Sequence, residues 1–127
     1  MAQALLIVDH GSRRTEANEM LFSVGAICRK LKPGLIVHVA HMELAEPTIE
    51  QGFTQCVKDG ATEVIVHPYM LSPGRHATSD IPNMVAEAAQ KHPGVTFKVT
   101  PPLGLDDKLG EVILERAGIE YKAALSK

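Results

Sequence analysis

Residues 63–82, EVIVHPYMLSPGRHATSDIP, decide how this chain folds. The opening EVIVH is a short apolar, β-branched run that stops at Pro68, as a buried strand does. At the other end Ile81, Met84, Val85 and Ala88 recur at helical spacing, with Pro82 tolerated in a first turn. Between them lies a loop carrying Tyr69, Pro73, Gly74, Arg75 and His76, with Asp80 expected to cap the helix. A strand that feeds a helix through such a loop is half of a β-α-β unit. In open parallel sheets, ligands bind in loops of this kind, outside the carboxyl ends of the strands.

The same unit recurs along the chain. Ala4–Val8 (ALLIV) reads as a strand covered on both faces and is stopped by Asp9-His10-Gly11-Ser12. From Thr15 to Leu31 the residues Met20, Leu21, Val24, Ile27, Cys28 and Leu31 mark the inner face of an amphipathic helix, ended by Pro33-Gly34. A second strand runs from Leu35 to His41, and the next helix is expected to start at Glu46-Pro47, with Ile49, Phe53, Cys56 and Val57 inside. Val95–Val99 suits an edge strand, and Leu105, Leu109, Val112 and Ile113 carry a last helix before a polar tail. Strict β-α alternation with short connections implies right-handed crossovers and a parallel sheet. The expected fold class is α/β, a three-layer sandwich on a four-stranded sheet of flavodoxin-like order 2-1-3-4, forming a single domain over residues 1–127.

Composition narrows the function. With 127 residues, 45% hydrophobic and 22% charged, the chain is long enough for one real core. A formal net charge of −2 argues against a general nucleic-acid binder. No apolar run approaches the roughly 20 residues of a membrane span. The amino terminus opens directly into a strand, which gives a cytoplasmic expectation. Cys28 and Cys56 lie in helical patterns without a CxxC pair and read as reduced, small hydrophobes.

In the expected topology the loops after the first three strands open at one edge, gathering His10, the His41-Met42-Glu43 segment and His67 through His76. Two imidazoles and a carboxylate (His10, His76 and Glu43) form a borderline-hard donor set suited to Fe(II), Co(II), Ni(II) or Zn(II). The same groups can also serve as bases. HExxH and a cysteine cluster are both absent, so any metal site is open and assembled from distant loops. Of the other histidines, His38 is expected to pack, His41 to support Glu43, His67 to orient its loop, and His92 to sit at a helix C-terminus. Ser12, Arg13 and Arg14 stand where the first helix begins, and Arg75 is next to His76. Arginine forks and a helix N-terminus both favour an anionic ligand. Neither GxxxxGK[ST] nor GxGxxG occurs. Met42, Met70 and Leu71 suit either core packing or the wall of a flat ligand's pocket.

At these residues the chain resembles the class II tetrapyrrole chelatases, specifically the sirohydrochlorin chelatases of the SirB/CbiX family. The matching pieces are LLIVDHGSRR, MELAEPTIEQGF, KDGATEVIVHPYML, SPGRHATSDIP and the PPLG before the last helix. The resemblance implies a chelatase-like α/β unit that inserts a divalent metal (Fe2+ or Co2+, with Ni2+ a further option) into sirohydrochlorin. That substrate is a tetrapyrrole with eight carboxylate side chains, on the route to siroheme or cobalamin. It implies no organic cofactor. Carried over by position, His10 and His76 take the place of the paired metal-site histidines and Glu43 that of the nearby acid. Ser12, Arg13, Arg14 and Arg75 would then face the substrate. Asp9 departs from the glycine of many relatives and would add a charge near the metal. Many relatives carry two such units; this chain resembles the short form, which works as a homodimer.

Two other readings remain at this stage. His-Gly after a first strand also occurs in phosphohistidine mutases and phosphatases, but those have Arg-His-Gly and here Asp9 holds the arginine position. The remaining alternative is a non-catalytic carrier of metal or tetrapyrrole.

Overall fold

The structure, a computed structural model, describes residues 2–72, 74 and 76–122, with residues 76 and 77 described by their backbone alone. Strand β1 (Gln3–Asp9) leads to helix α1 (Thr15–Leu31), and β2 (Ile36–His41) leads to α2 (Ile49–Lys58). Strand β3 (Glu63–Pro68) passes through a π-helical turn (His76–Asp80) into α3 (Ile81–Gln90), followed by β4 (Thr96–Val99) and α4 (Asp107–Ala117). The end of the expected polar tail, residues 123–127, lies outside the described residues. The strands are all parallel, in the order β2-β1-β3-β4. In this register Leu6 of the central strand lies between His38 and Val66.

The layers on the two sides of the sheet are unequal. On one side α2 and α3 press Phe53, Cys56, Ile81 and Val85 against Leu6, Val64 and Val66, all of them fully buried. Removing a side chain such as Phe53 from this cluster should cost about 3–5 kcal/mol. Helix α2 approaches β1 and β2 closely at Gly52, where a Cβ would stand 2.7 Å from Leu6 Cδ1 and 3.1 Å from Ala40 Cβ. On the other side, among the described residues, α1 is the helix that packs on β2 and β1, burying Leu21 against Ile7, Val37 and Val39. Met20, Ile27 and Leu31, expected on its inner face, are instead 70%, 51% and 76% exposed. The apolar stripe is wider than the surface available to it, so only its centre finds the sheet.

Two helix starts also differ from expectation. Helix α2 begins at Ile49 rather than at Glu46-Pro47, because Thr48 and Gln51 form a capping box there. Pro47 is used one step earlier: its carbonyl accepts from His41 N–H at 2.8 Å, and Thr48 bridges to His41. Together with Arg29 Nη2 donating to Val37 O at 2.7 Å, this covers part of the free edge of β2. At α3, the Asp80 carboxylate makes no capping bond, because its backbone (φ −70°, ψ −43°) already continues the π turn. His38, expected to pack, faces Asp59 at 2.6 Å on the β2 edge. That bond holds the Asp59 carboxyl below its usual range. Beyond the α3 C-terminus, His92 stacks on Phe53 (5.7 Å between centroids) and meets Thr54 Oγ1 at 3.0 Å. Among the described residues no helix is long and apolar enough to cross a membrane.

Burial predicts two titration behaviours. The Cys56 thiol is pushed up to about 12, chiefly by desolvation. At pH 8 roughly one such thiol in ten thousand is ionised, so iodoacetamide should label Cys56 only after urea unfolding, which mass spectrometry resolves. Labelling of folded protein at a free-thiol rate would show that the packing is wrong. His67, half-buried with Nδ1 2.9 Å from Thr100 Oγ1, is held below its ordinary 6.5 by desolvation. Above that value both folded and unfolded states are neutral. Below it the unfolded chain takes up a proton that the folded ring resists, so stability falls as pH drops through about 6.5 toward the depressed value. Replacing His67 by Gln should flatten the urea midpoint between pH 7 and 5.5; an unchanged slope contradicts this.

Candidate functional site at the carboxyl rim of the sheet

β1 and β2 keep pairing past their last strand residues. Met42 N–H donates to Asp9 O at 2.8 Å and Glu43 N–H donates to His10 O at 3.1 Å. His10 and Glu43 are therefore main-chain neighbours, and both are exposed at the rim. Gly11 makes this approach possible. It has φ +90°, and a Cβ there would lie 1.8 Å from Glu43 O. Leu44, just after Glu43, holds φ 71°, a strained conformation for a residue with a side chain and one that collects at functional sites.

Beneath these two residues lies a contact that sequence reasoning missed. His41 is fully buried, and its Nδ1 is 2.6 Å from Asp9 Oδ1. A carboxylate accepting at that distance places the ring proton on Nδ1. Nε2 is buried with no hydrogen-bond partner among the described residues, and Phe22 meets the ring edge-on at 6.5 Å. The Asp9 carboxylate is thus turned to His41 and braces the two strand ends. His41 lies under the rim through Asp9, not through Glu43. The only signal in the sequence was an acid and a histidine each ending a strand, which does not reveal that the strands are adjacent in register.

The loop after β1 is held by a second unforeseen residue, Asn18. Its Oδ1 accepts from Ser12 N–H at 2.9 Å while its Nδ2 donates to Ser12 O at 2.7 Å. Ser12 Oγ accepts from Arg14 N–H at 3.0 Å and keeps its own O–H free to donate. Arg13 and Arg14 are exposed at the start of α1, where helix N–H groups add to the positive field.

The loop after β3 is strapped to the sheet. Tyr69 N–H donates to Val8 O at 2.6 Å; Leu103 and Gly104 N–H donate to Met70 O and Leu71 O at 3.0 and 3.1 Å. Of the expected apolar wall, Met42 is buried and Met70 packs on the core, whereas Leu71 is 68% exposed. Thr78 bonds Gly74 O through both N–H and Oγ1, closing the entry to the π turn that His76 begins. Single π turns inside helices recur at functional sites. The His76 side chain, Arg75 and Pro73 lie outside the described residues. Among the described residues no three His, Cys, Asp or Glu side chains converge on a metal site, and His10 with Glu43 is the part of the expected trio brought together.

Met42 and Glu43 also border a cleft of about 700 Å3 whose far wall is α3, with Asp80, Met84 and Glu87. That volume is ordinary for a small-molecule site. Its carboxylates favour cations, while the arginines at the start of α1 favour anions, so the rim presents both signs on different flanks.

A sequence model of the CbiX family matches residues 4–119. The chain is 44% identical over 115 residues to the chloroplastic sirohydrochlorin ferrochelatase of Arabidopsis thaliana, covering 91% of this chain and 51% of that one. It is 30% identical over 140 residues to the sirohydrochlorin cobaltochelatase of Methanococcus maripaludis, covering 91% and 97%. The sirohydrochlorin chelatase SirB from Bacillus subtilis subspecies spizizenii, solved in complex with cobalt, superposes with a TM-score of 0.83 at 36% identity, over 93% of this chain and 50% of that one. The chain thus spans about half the length of the plant and Bacillus relatives and nearly all of the archaeal one. From the strand order, the paired β1 and β2 loops and the match over residues 4–119, this chain belongs to the CbiX family.

Proposed function

We propose that this chain is a sirohydrochlorin chelatase, inserting Fe2+ or Co2+, with Ni2+ a further candidate, into sirohydrochlorin. The observation that supports the reading is the Glu43 N–H to His10 O bond, which joins the backbones of two candidate donors at an exposed rim. The ferrochelatase and cobaltochelatase names of its relatives support the same chemistry. The metal is a substrate here, and no organic cofactor takes part.

Insertion forms metal–nitrogen bonds and releases two pyrrole N–H protons, so the site must present a metal and accept protons. His10, Glu43 and His76 hold the incoming ion, and Glu43 or a freed imidazole takes up the protons. Arg13, Arg14 and Arg75 hold peripheral carboxylates, with the Ser12 O–H donating to one of them. The acidic cleft beside Glu43 repels those carboxylates, which biases the macrocycle toward the α1 side of the rim. Two copies act as a homodimer, together matching the length of the longer relatives. A cytoplasmic location goes with this reading, and the chloroplastic Arabidopsis relative makes location worth testing separately.

Insertion followed by sirohydrochlorin absorbance, with each metal in turn, tests the proposal. His10→Ala and His76→Ala should each slow insertion about 100-fold and the double change should abolish it. A folded double variant that still turns over, or wild-type protein that binds metallated product without turnover, would refute it. Gly11→Ala should lose about 1–3 kcal/mol of stability in urea and most of the insertion rate, since the β2–α2 loop must move away from the new Cβ. Wild-type behaviour in both assays would mean that the two loops are not in contact.

A further inference from the structure

The connection from β1 to α1 is tied down at alternate residues. His10 is held through its carbonyl, which accepts from Glu43 N–H at 3.1 Å. Ser12 is held by Asn18, whose carboxamide closes a two-bond ring on the Ser12 main chain: Nδ2 donates to O at 2.7 Å and Oδ1 accepts from N–H at 2.9 Å. Arg14 is held through its own N–H, which donates to Ser12 Oγ at 3.0 Å. Both ends of the Asn18 amide are used, so its orientation is fixed by its partners: an acceptor must face the N–H and a donor the carbonyl. Ser12 and Asn18 are half-buried, which partly shields the ring from competing water.

This clamp stands in for a cap. Arg14 occupies the N-cap of α1 and makes no side-chain capping bond. Ser, Thr, Asp and Asn are the usual residues there, because a short polar side chain ties the first turn down. Here Asn18, one turn inside the helix with its N–H on Arg14 O at 3.3 Å, reaches back past the N-cap to Ser12. The N-cap is thereby left to an arginine, exposed beside an exposed Arg13. A short capping residue at 14 could anchor the loop too, but it would remove a cation from the rim. Anchoring and charge are therefore carried by different residues.

We propose that Asn18 is a positioning residue for tetrapyrrole binding: it fixes Ser12, with its free O–H, and the exposed Arg13 and Arg14 in one arrangement before the substrate carboxylates arrive. The inference rests on the chelatase reading above and gives a role in that site to a residue one helical turn behind it. A ligand that meets a loop already in place does not bear the entropy of ordering it. If loss of the clamp leaves the loop so arranged about one-tenth of the time, apparent affinity falls about tenfold. The metal donors are held separately, since the Glu43 N–H to His10 O bond and the approach of Gly11 to the Glu43 carbonyl do not involve Asn18. The effect belongs to the tetrapyrrole and not to the metal.

Steady-state insertion with Co2+ and sirohydrochlorin tests this, together with metal-free binding of sirohydrochlorin followed by fluorescence. In Asn18→Ala, where alanine preserves the helix propensity of α1, KM for sirohydrochlorin and its metal-free Kd should rise about tenfold or more, while kcat and KM for Co2+ stay within about twofold. Asn18→Asp is isosteric, keeps the acceptor for Ser12 N–H and loses the donor to Ser12 O. It should show the same split, and it decides the matter if the alanine variant does not fold. Adding Ser12→Ala to Asn18→Ala should raise KM by less than the product of the two single effects, because Asn18 acts through Ser12. A lower melting temperature or kcat at unchanged KM would make the clamp merely structural and overturn the proposal. A parallel rise in KM for Co2+, or a full product in the double variant, would overturn it as well. Wild-type turnover with an unaltered Asn18→Ala defeats this inference alone, whereas wild-type protein that binds no sirohydrochlorin defeats the chelatase reading and this inference together.

Discussion

The contact between Asp9 and His41 is the constraint on which the rim depends. These residues end adjacent strands, and each immediately precedes the segment that carries a candidate donor, His10 on one side and Met42-Glu43 on the other. His41 has no access to water, so the one hydrogen bond its ring makes among the described residues sets both its tautomer and the plane of the ring. Losing the carboxylate would leave a buried imidazole unpaired on both nitrogens, at about 1–3 kcal/mol. Gly11 then closes the arrangement from above: only a residue without a Cβ fits under the Glu43 carbonyl. The imidazole of His10 and the carboxylate of Glu43 are thus mounted on braced backbone, though both side chains are exposed. Braced backbone beneath exposed donors suits the ion-handling role proposed for this rim.

Charge is divided along this rim. Glu43, Asp80 and Glu87 border the cleft against α3, while Arg13 and Arg14 stand at the start of α1. A ligand that is cationic at its centre and anionic at its edge meets both flanks favourably only in one orientation. The net charge of −2 conceals this separation, because opposite charges on different flanks cancel in the sum without cancelling in the local field.

The unequal layers explain why part of the apolar content of α1 stays exposed. Burial stabilises in proportion to area removed from water, and among the described residues α1 packs chiefly on β2 and β1. Met20, Ile27 and Leu31 of α1 and Val112 and Ile113 of α4 stay exposed, and Ile65 of β3 is only half-buried.

Most of the architecture was legible in the residues themselves. Runs such as ALLIV, the three- and four-residue spacing of α1, and the Pro-Gly stops are local signals, and strict alternation of strand and helix leaves few topologies for a parallel sheet. That reasoning alone determined the strand order and the sharing of one rim by the loops that carry His10, Glu43 and the start of the π turn. What only the tertiary structure decided lies between residues far apart in the chain. The pairing of Asp9 with His41, the clamp of Asn18 on Ser12, the strap from Leu103 to Met70 and the exposure of half the α1 stripe belong to this group. Periodicity says that a helix has an apolar face, but the width of that face actually covered depends on how many strands lie beneath it. A hydrogen bond between two strand ends depends on their register, which becomes fixed only when the whole sheet has packed.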